Sequence, residues 1–318
     1  MTRNHAVWGT VLVILMTIGL CGWASAQDFP THRIELYVGY AAGGATDVLA
    51  RAVANLGTKY VGQQIVPVNK PGASGTIASQ AVATSKPDGY TLLVGGGSET
   101  TSAGHFQKLP FHPVNDFEPI IRFIRLPIVI NVGKDSPWKN VQEMIAAIKA
   151  NPGKYSYATS GIGSHYHAAM LVLEKQAGLN MRHVPFKGGA ENLAALLGGH
   201  VDIAISSPDE AFALIEAGKV RPLAHFSDSR SPMLPNVPNL KEVGYNIYVE
   251  NMKGIMAPKG TPRPIVQKLH DSLRKLFDDP EFKETLKKLQ MEAAYLGPED
   301  FGKAMQFMYA QIGDSLKK

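Results

Sequence analysis

Short apolar runs rich in β-branched residues alternate along this chain with Gly-rich turns and stretches at helical spacing. Ile34-Glu35-Leu36-Tyr37-Val38 alternates apolar and polar positions, which predicts a strand. It runs into the turn Tyr40-Ala41-Ala42-Gly43-Gly44-Ala45. Thr46 then stands where a helix N-cap is expected, and Asp47 in the first turn suits the helix dipole. The helix is expected to reach about Tyr60. Ile65 to Val68 predicts a second strand, and Pro67 suggests that it lies at a sheet edge, because proline cannot donate to a ladder. Thr91 to Val94 predicts a third, ending in Gly95-Gly96-Gly97-Ser98. Alternating strands and helices imply an α/β protein with mostly parallel sheets.

The second half repeats the theme. Pro127 to Val132 reads as a strand that crosses into a second lobe, and Lys139 to Ala150 as a helix stopped by Asn151-Pro152-Gly153. Tyr155 to Ser160 is an expected strand, followed by Gly161-Ile162-Gly163 and a helix from about Ser164 to Gln176, with Gly178 as its C-terminal cap. Val201 to Ser206 is another strand, and Ser207-Pro208-Asp209-Glu210 matches a capping box with proline in the first turn. Leu223 to Phe226 is a strand, Ser231 to Pro238 a proline-rich connector, and Gly254 to Ala257 a further strand. Helices are expected near Pro262 to Phe277, Pro280 to Leu289 and Pro298 to Gly313. The last helices need something to cover, so the chain is expected to return to its first lobe. The expected division is 1–26 as a cleaved leader, 27–126 with 228–318 as a discontinuous first lobe, and 127–227 as the second.

The leader changes the picture of location. Arg3 precedes an apolar stretch from Val7 to Leu20, and Ala24-Ser25-Ala26 supplies a small-x-small cleavage pattern. This is the pattern of a secretory signal peptide, and its apolar run is shorter than the ~20 residues that span a bilayer. A periplasmic location is expected. Cleavage would remove Cys21, the only cysteine, so no disulfide or thiol chemistry is expected in the mature protein. With 45% apolar and 19% charged residues, the chain has the composition of a packed globule. Its net charge of +5 is not gathered into basic blocks with interleaved aromatics, which argues against nucleic-acid binding.

Two Gly-rich strand-to-helix turns carry the candidate chemistry. In the first, Ala42, Gly43, Gly44 and Ala45 are candidate backbone donors to an anion. In the second, Thr159, Ser160, Gly161 and Ser164 form an opposing clamp. Glycine lets backbone come close to a ligand, and a helix N-terminus exposes unpaired N–H groups. Gly97 and Ser98 would line the floor, and Lys187 and Ser207 the walls. Dinucleotide, nucleophile-elbow and Walker patterns fail: Tyr166 stands where a dinucleotide fingerprint needs its third glycine, and Ala158 and Ile162 flank Ser160. His165 and His167 are two apart and do not share a helix face, so no metal site is expected. Glu191, Asp202 and Asp209 have structural explanations as solvated face, strand end and helix cap. Neither an enzyme nor a cofactor is expected.

The residues carry a family resemblance. Gly43 to Arg51, Val68-Asn69-Lys70-Pro71-Gly72-Ala73-Ser74-Gly75 and Pro87-Asp88-Gly89-Tyr90-Thr91-Leu92-Leu93 resemble stretches of the Bug-type extracytoplasmic receptors of the tripartite tricarboxylate transporter system. So do Ser160 to Ser164, Val184 to Gly189, Leu196 to Asp202 and Ala257 to Pro262. The resemblance runs in order over nearly the whole chain beyond the leader. It implies a two-lobed type II periplasmic-binding fold with two crossing segments and a cleft that closes on a small carboxylate. Carried over by position, it places Tyr40 to Thr46 and Thr159 to Ser164, Gly163 included, at the ligand, with His167 one turn beyond. It implies delivery to membrane permease subunits by a monomeric receptor; sensing for a membrane kinase is the alternative reading, and a secreted enzyme on the same fold a more remote one. Two departures stand out. The first turn reads Tyr40-Ala41-Ala42-Gly43-Gly44 rather than a proline-bearing Gly triplet, and Ser206-Ser207 stand where amino-acid-binding members often carry an acid. The expected ligand is therefore a plain carboxylate: a di- or tricarboxylate, or an aromatic one.

Overall fold

The computed structural model describes residues 29–317; the leader expected over 1–26 lies outside them. Strand β1 (Ile34–Val38) buries Ile34, Leu36 and Val38 as its alternation predicts. Helix α1 (Ala45–Val61) follows it, then β2 (Ile65–Asn69), α2 (Thr76–Ala83) and β3 (Thr91–Gly95). β1 pairs in parallel with both β2 and β3, and β2 with its Pro67 is a sheet edge. The long β4 (Phe117–Pro127) leads almost straight into β5 (Val129–Gly133) of the second lobe.

The second lobe holds α3 (Val141–Ala150), β6 (Ser156–Thr159), α4 (His165–Ala177), β7 (Arg182–Pro185), α5 (Gly189–Leu197), β8 (Ile203–Ser206), α6 (Pro208–Glu216) and β9 (Val220–His225). The chain returns through β10 (Glu250–Pro258), α7 (Arg263–Arg274), α8 (Pro280–Lys288), β11 (Glu292–Leu296) and α9 (Pro298–Leu316). The first sheet has the order β11-β4-β10-β3-β1-β2, the second β7-β6-β8-β5-β9. This is the expected two-lobed α/β architecture. The sheets are nonetheless mixed rather than mostly parallel. β10 runs antiparallel to β3 and β4, and β5 antiparallel to β8 and β9. The reason is the crossings: a strand that carries the chain between lobes enters its new sheet from the opposite end.

Each lobe has its own core, but the cores share segments. Leu240, Ile247 and Val249, which precede β10, pack with Ile130, Met144 and Leu173 of the second lobe. Ile312, near the end of α9, joins the same cluster. The C-terminal helix thus ties the lobes together in addition to the two crossings.

One helix begins two positions earlier than its sequence predicts. Helix α1 begins at Ala45 with Gly44 as N-cap, so Thr46 lies inside the helix and is buried, not capping it. Asp47 takes the role that a capping side chain would have. It accepts the Gly43 N–H at 2.8 Å and pairs with Arg51 and Asn69 at 2.9 Å each. Burial works to raise the Asp47 pKa, but these hydrogen bonds prevail and hold it below the ordinary carboxylate value.

Candidate functional site

A cleft of about 360 Å³ opens between the lobes, at the carboxyl ends of β1, β3 and β6. Its first-lobe wall is made by Tyr40 at the end of β1, Ala45 and Thr46 at the start of α1, and Ser98 after β3. Its second-lobe wall includes Ser160 and Ser164 before α4, together with Lys187 and Ser207. Eight of the residues singled out in the sequence therefore meet at one place. The others are not among the lining residues. Ala42, Gly43 and Gly44 are exposed, and the Gly43 amide is already taken by Asp47. Thr159 is buried and holds the turn from inside, donating to the Gly161 carbonyl at 3.2 Å, with its oxygen 2.6 Å from His183 Nε2. His167 Nδ1 accepts the Gly163 N–H, and the His167 ring stacks on His183 at 4.0 Å. These are supports for the turn, not cleft walls.

The two walls differ in what they offer. The first two amides of α1, on Ala45 and Thr46, have no partner within the helix by geometry alone. The first amide of α4 does have one: His165 N–H donates to Ser98 Oγ at 3.1 Å, across the lobes. Ser164 caps α4 by accepting from His167 N–H, and donates to the Gly161 carbonyl. Ser102 donates to the Gly163 carbonyl at 2.8 Å, a second stitch between lobes. The floor of the cleft is thus built from hydroxyl groups that join the lobes. Ser160 makes no side-chain hydrogen bond among the described residues.

The strongest chemistry comes from residues the sequence reading passed over. All nine residues of β10 are buried, yet the strand contains two charges, Glu250 and Lys253. Burying a charge is costly unless it is paired. Glu250 is paired: Arg125 and Arg122 stand 3.4 and 3.8 Å away, and Tyr248 donates to it at 3.0 Å. Lys253 is only 3% exposed and, among the described residues, has no carboxylate within 4.0 Å of its Nζ. Its ammonium lies 4.9 Å from the centre of the Tyr40 ring, a cation–π contact. Asn251 and Lys253 stand two apart on β10, so strand alternation turns both toward the cleft. Burial pushes the Lys253 pKa down, while the more distant Glu99 and Asp209 pull it back up.

Glu99 is held in place behind the cleft. It accepts from Tyr40 Oη at 2.6 Å and from the Gly97 N–H at 2.9 Å. Burial first, and then this carboxylate, push the Tyr40 phenol well above its ordinary pKa. Gly97 has a specific reason to be glycine. An added Cβ would lie 2.7 Å from Lys253 Nζ, 2.8 Å from Glu99 Oε2 and 3.2 Å from Asn251 Oδ1. Three polar groups face one hollow that only a missing side chain leaves open.

On the opposite wall, Glu210 forms the predicted capping box with Ser207 and also accepts from Tyr166 Oη at 2.9 Å. The sequence places Asp209 in that cap; in the structure it lines the cleft, and among the described residues its buried Oδ1 has no hydrogen-bond partner. Burial raises its pKa. Asp202 and Glu191 do serve structure: Asp202 accepts from the Ser156 N–H and hydroxyl, and Glu191 from the Lys187 N–H. Neither Lys253 nor Asp209 was legible in the sequence: Lys253 directly precedes the run Gly254 to Ala257 and reads as a strand end, and Asp209 fits a helix first turn equally well.

The described residues hold no group of three or more metal-ligating side chains. Comparison with known proteins agrees with a receptor. The family model described as "Tripartite tricarboxylate transporter family receptor" matches residues 49–317. A Cupriavidus necator protein, "UPF0065 protein in gbd 5'region", is 39% identical, over 87% of this chain and 84% of its own. "Protein BugT" of Bordetella pertussis is 32% identical, over 84% and 82%. Among solved structures, a TctC solute-binding protein from Polaromonas superposes with a TM-score of 0.82 at 34% identity, over 91% of this chain and 99% of that one. MatC of Rhodopseudomonas palustris, with bound malate, gives 0.74 at 30% identity, over 91% and 100%.

Proposed function

Because the chain belongs to the tripartite tricarboxylate transporter receptor family, in its Bug-type branch, we propose that it captures a small carboxylate in the interlobe cleft and presents it to membrane permease subunits. Its relatives are solute receptors and not enzymes, and the family works outside the cytoplasm. The leader at 1–26 would direct export of this chain.

One observation carries the reading: a buried, unpaired lysine faces a cleft lined by hydroxyl groups and a free helix N-terminus. Lys253 and the Ala45 and Thr46 amides offer an anion both a full charge and oriented donors. Ligand contacts made from both walls would favour the closed arrangement of the lobes, a population shift set by differential affinity. The malate held by MatC puts small di- and hydroxycarboxylates first in the order of trial.

A thermal-shift screen of mono-, di- and tricarboxylates on the mature protein tests this. A ligand at about a hundredfold over its Kd adds about 2.7 kcal/mol of stability. Silence across all carboxylates, with a response to sugars or cations instead, overturns the reading. Uptake of the identified ligand should fall in a strain lacking the protein; undiminished uptake contradicts delivery to a permease.

A further inference from the structure

The cleft is not a positive pocket. Four charged side chains line it, and they are two lysines and two acids: Lys187, Lys253, Asp209 and Glu210. A purely anionic ligand would gain from the lysines and lose to the acids. Two of the four leave bonding capacity unused. Lys253, on the crossing strand, has no carboxylate within 4.0 Å among the described residues, and Asp209, on the second lobe, has a buried oxygen without a partner. Each is near enough to influence the other's charge, yet they form no ion pair. Beside Lys253, Asn251 is 8% exposed and its Oδ1 also has no partner. An unmet buried acceptor is costly, and so is an unmet buried cation. Both remain only if something else satisfies them.

We propose that the ligand is an ammonium carboxylate, an amino acid or a close relative, inserted between Lys253 and Asp209. This rests on the carboxylate-receptor reading above and narrows it. The ligand's carboxylate meets the Lys253 ammonium and the α1 amides. Its amine donates to Asp209 Oδ1, with Asn251 Oδ1 as a second acceptor within the same cleft. The ligand thereby completes an ion pair that the protein leaves open across its lobes. Of the two positions expected to decide against an amine, Ser206 is buried away from the cleft, and Ser207 lines its wall but carries no charge. The acid comes from the next turn, at Asp209, where α6 begins.

Calorimetric titration of the mature protein with matched acids tests the idea: L-aspartate, L-malate and succinate, and L-alanine, L-lactate and propionate. Within each set the amine-bearing acid is expected to bind about tenfold or more tighter than the acid with hydrogen in its place, from charge-assisted hydrogen bonds to Asp209. The hydroxy acids should fall between. Asp209→Asn should collapse the ratio within each set to about one. Equal or tighter binding of succinate and propionate overturns the proposal while leaving the receptor reading intact. So does an unchanged ratio in Asp209→Asn. No binding by any acid of either set, together with silence in the wider carboxylate screen, overturns both. The ratios in the unmodified protein decide the matter even if the variant fails to fold.

Discussion

At the scale of single residues, β10 sets two charges three positions apart to different uses. Glu250 is enclosed by Arg122 and Arg125, so removing it leaves the buried Arg122 without a carboxylate, while Arg125 keeps Glu292 and Asp228. Glu250→Ala should cost about 3 kcal/mol or more in chemical denaturation. Lys253→Met should leave the fold as stable or more so, because a buried cation without a close partner is replaced by an apolar side chain of similar length. The same variant should lose carboxylate binding. A destabilised Lys253→Met that still binds would show the lysine to be structural. Gly97→Ala is the third residue-scale expectation. Its methyl would occupy the hollow shared by Lys253, Glu99 and Asn251 and push the ammonium aside, so calorimetry should show weakened binding with the fold retained. Little of this was legible beforehand. Lys253 immediately precedes the run Gly254 to Ala257, and a charge beside glycine reads as a strand end. Only the pairing of residues 250–253 with Ile124 to Pro127 of β4 shows that the strand continues through it.

At the scale of elements, local chemistry was a good guide where it acts locally. The capping box at Ser207 and Glu210 and the left-handed cap at Gly178 stand where the sequence puts them. Ser164 is an N-cap whose oxygen accepts from His167 N–H. Ser164→Ala should cost about 1 kcal/mol of stability, measured by denaturant unfolding, and should loosen the turn beside the cleft. Elements set by distant partners were harder to read. β4 contains Pro119, Arg122 and Arg125, which break its apolar alternation, yet it lies between β10 and β11 because its arginines meet Glu250 and Glu292. β11 and β7 are short, and their strand character comes from the neighbour each pairs with. α5 opens on Gly189, a residue that would normally argue against a helix start there. Glu210 packs so closely over that position that no Cβ would fit.

For the whole molecule, the alternation of strands and helices foretold two lobes, but not the mixed sheets, whose directions depend on where the crossings enter. It also could not show that Ile312 of the last helix joins the core of the second lobe. Stability should carry a histidine signature. Burial depresses His167, His183 and His225 to about 4. The unfolded chain, with histidines near their ordinary value of about 6.5, binds more protons than the folded one between these limits. Stability from these groups is therefore present above pH 6.5 and is lost as the pH falls toward 4. The midpoint of thermal unfolding should drop across that window, and His225→Phe should make the drop shallower. A midpoint that rises on acidification would contradict the neutral, buried state of these rings.

The central claim, that an anion is held where Lys253 and the start of α1 meet, is tested most directly by a crystal structure of the protein with the tightest-binding acid from the titrations. The account predicts a carboxylate within hydrogen-bonding distance of Lys253 Nζ and the Ala45 or Thr46 amide, enclosed by both lobes. A ligand seated elsewhere, with Lys253 still unpaired beside it, would contradict it.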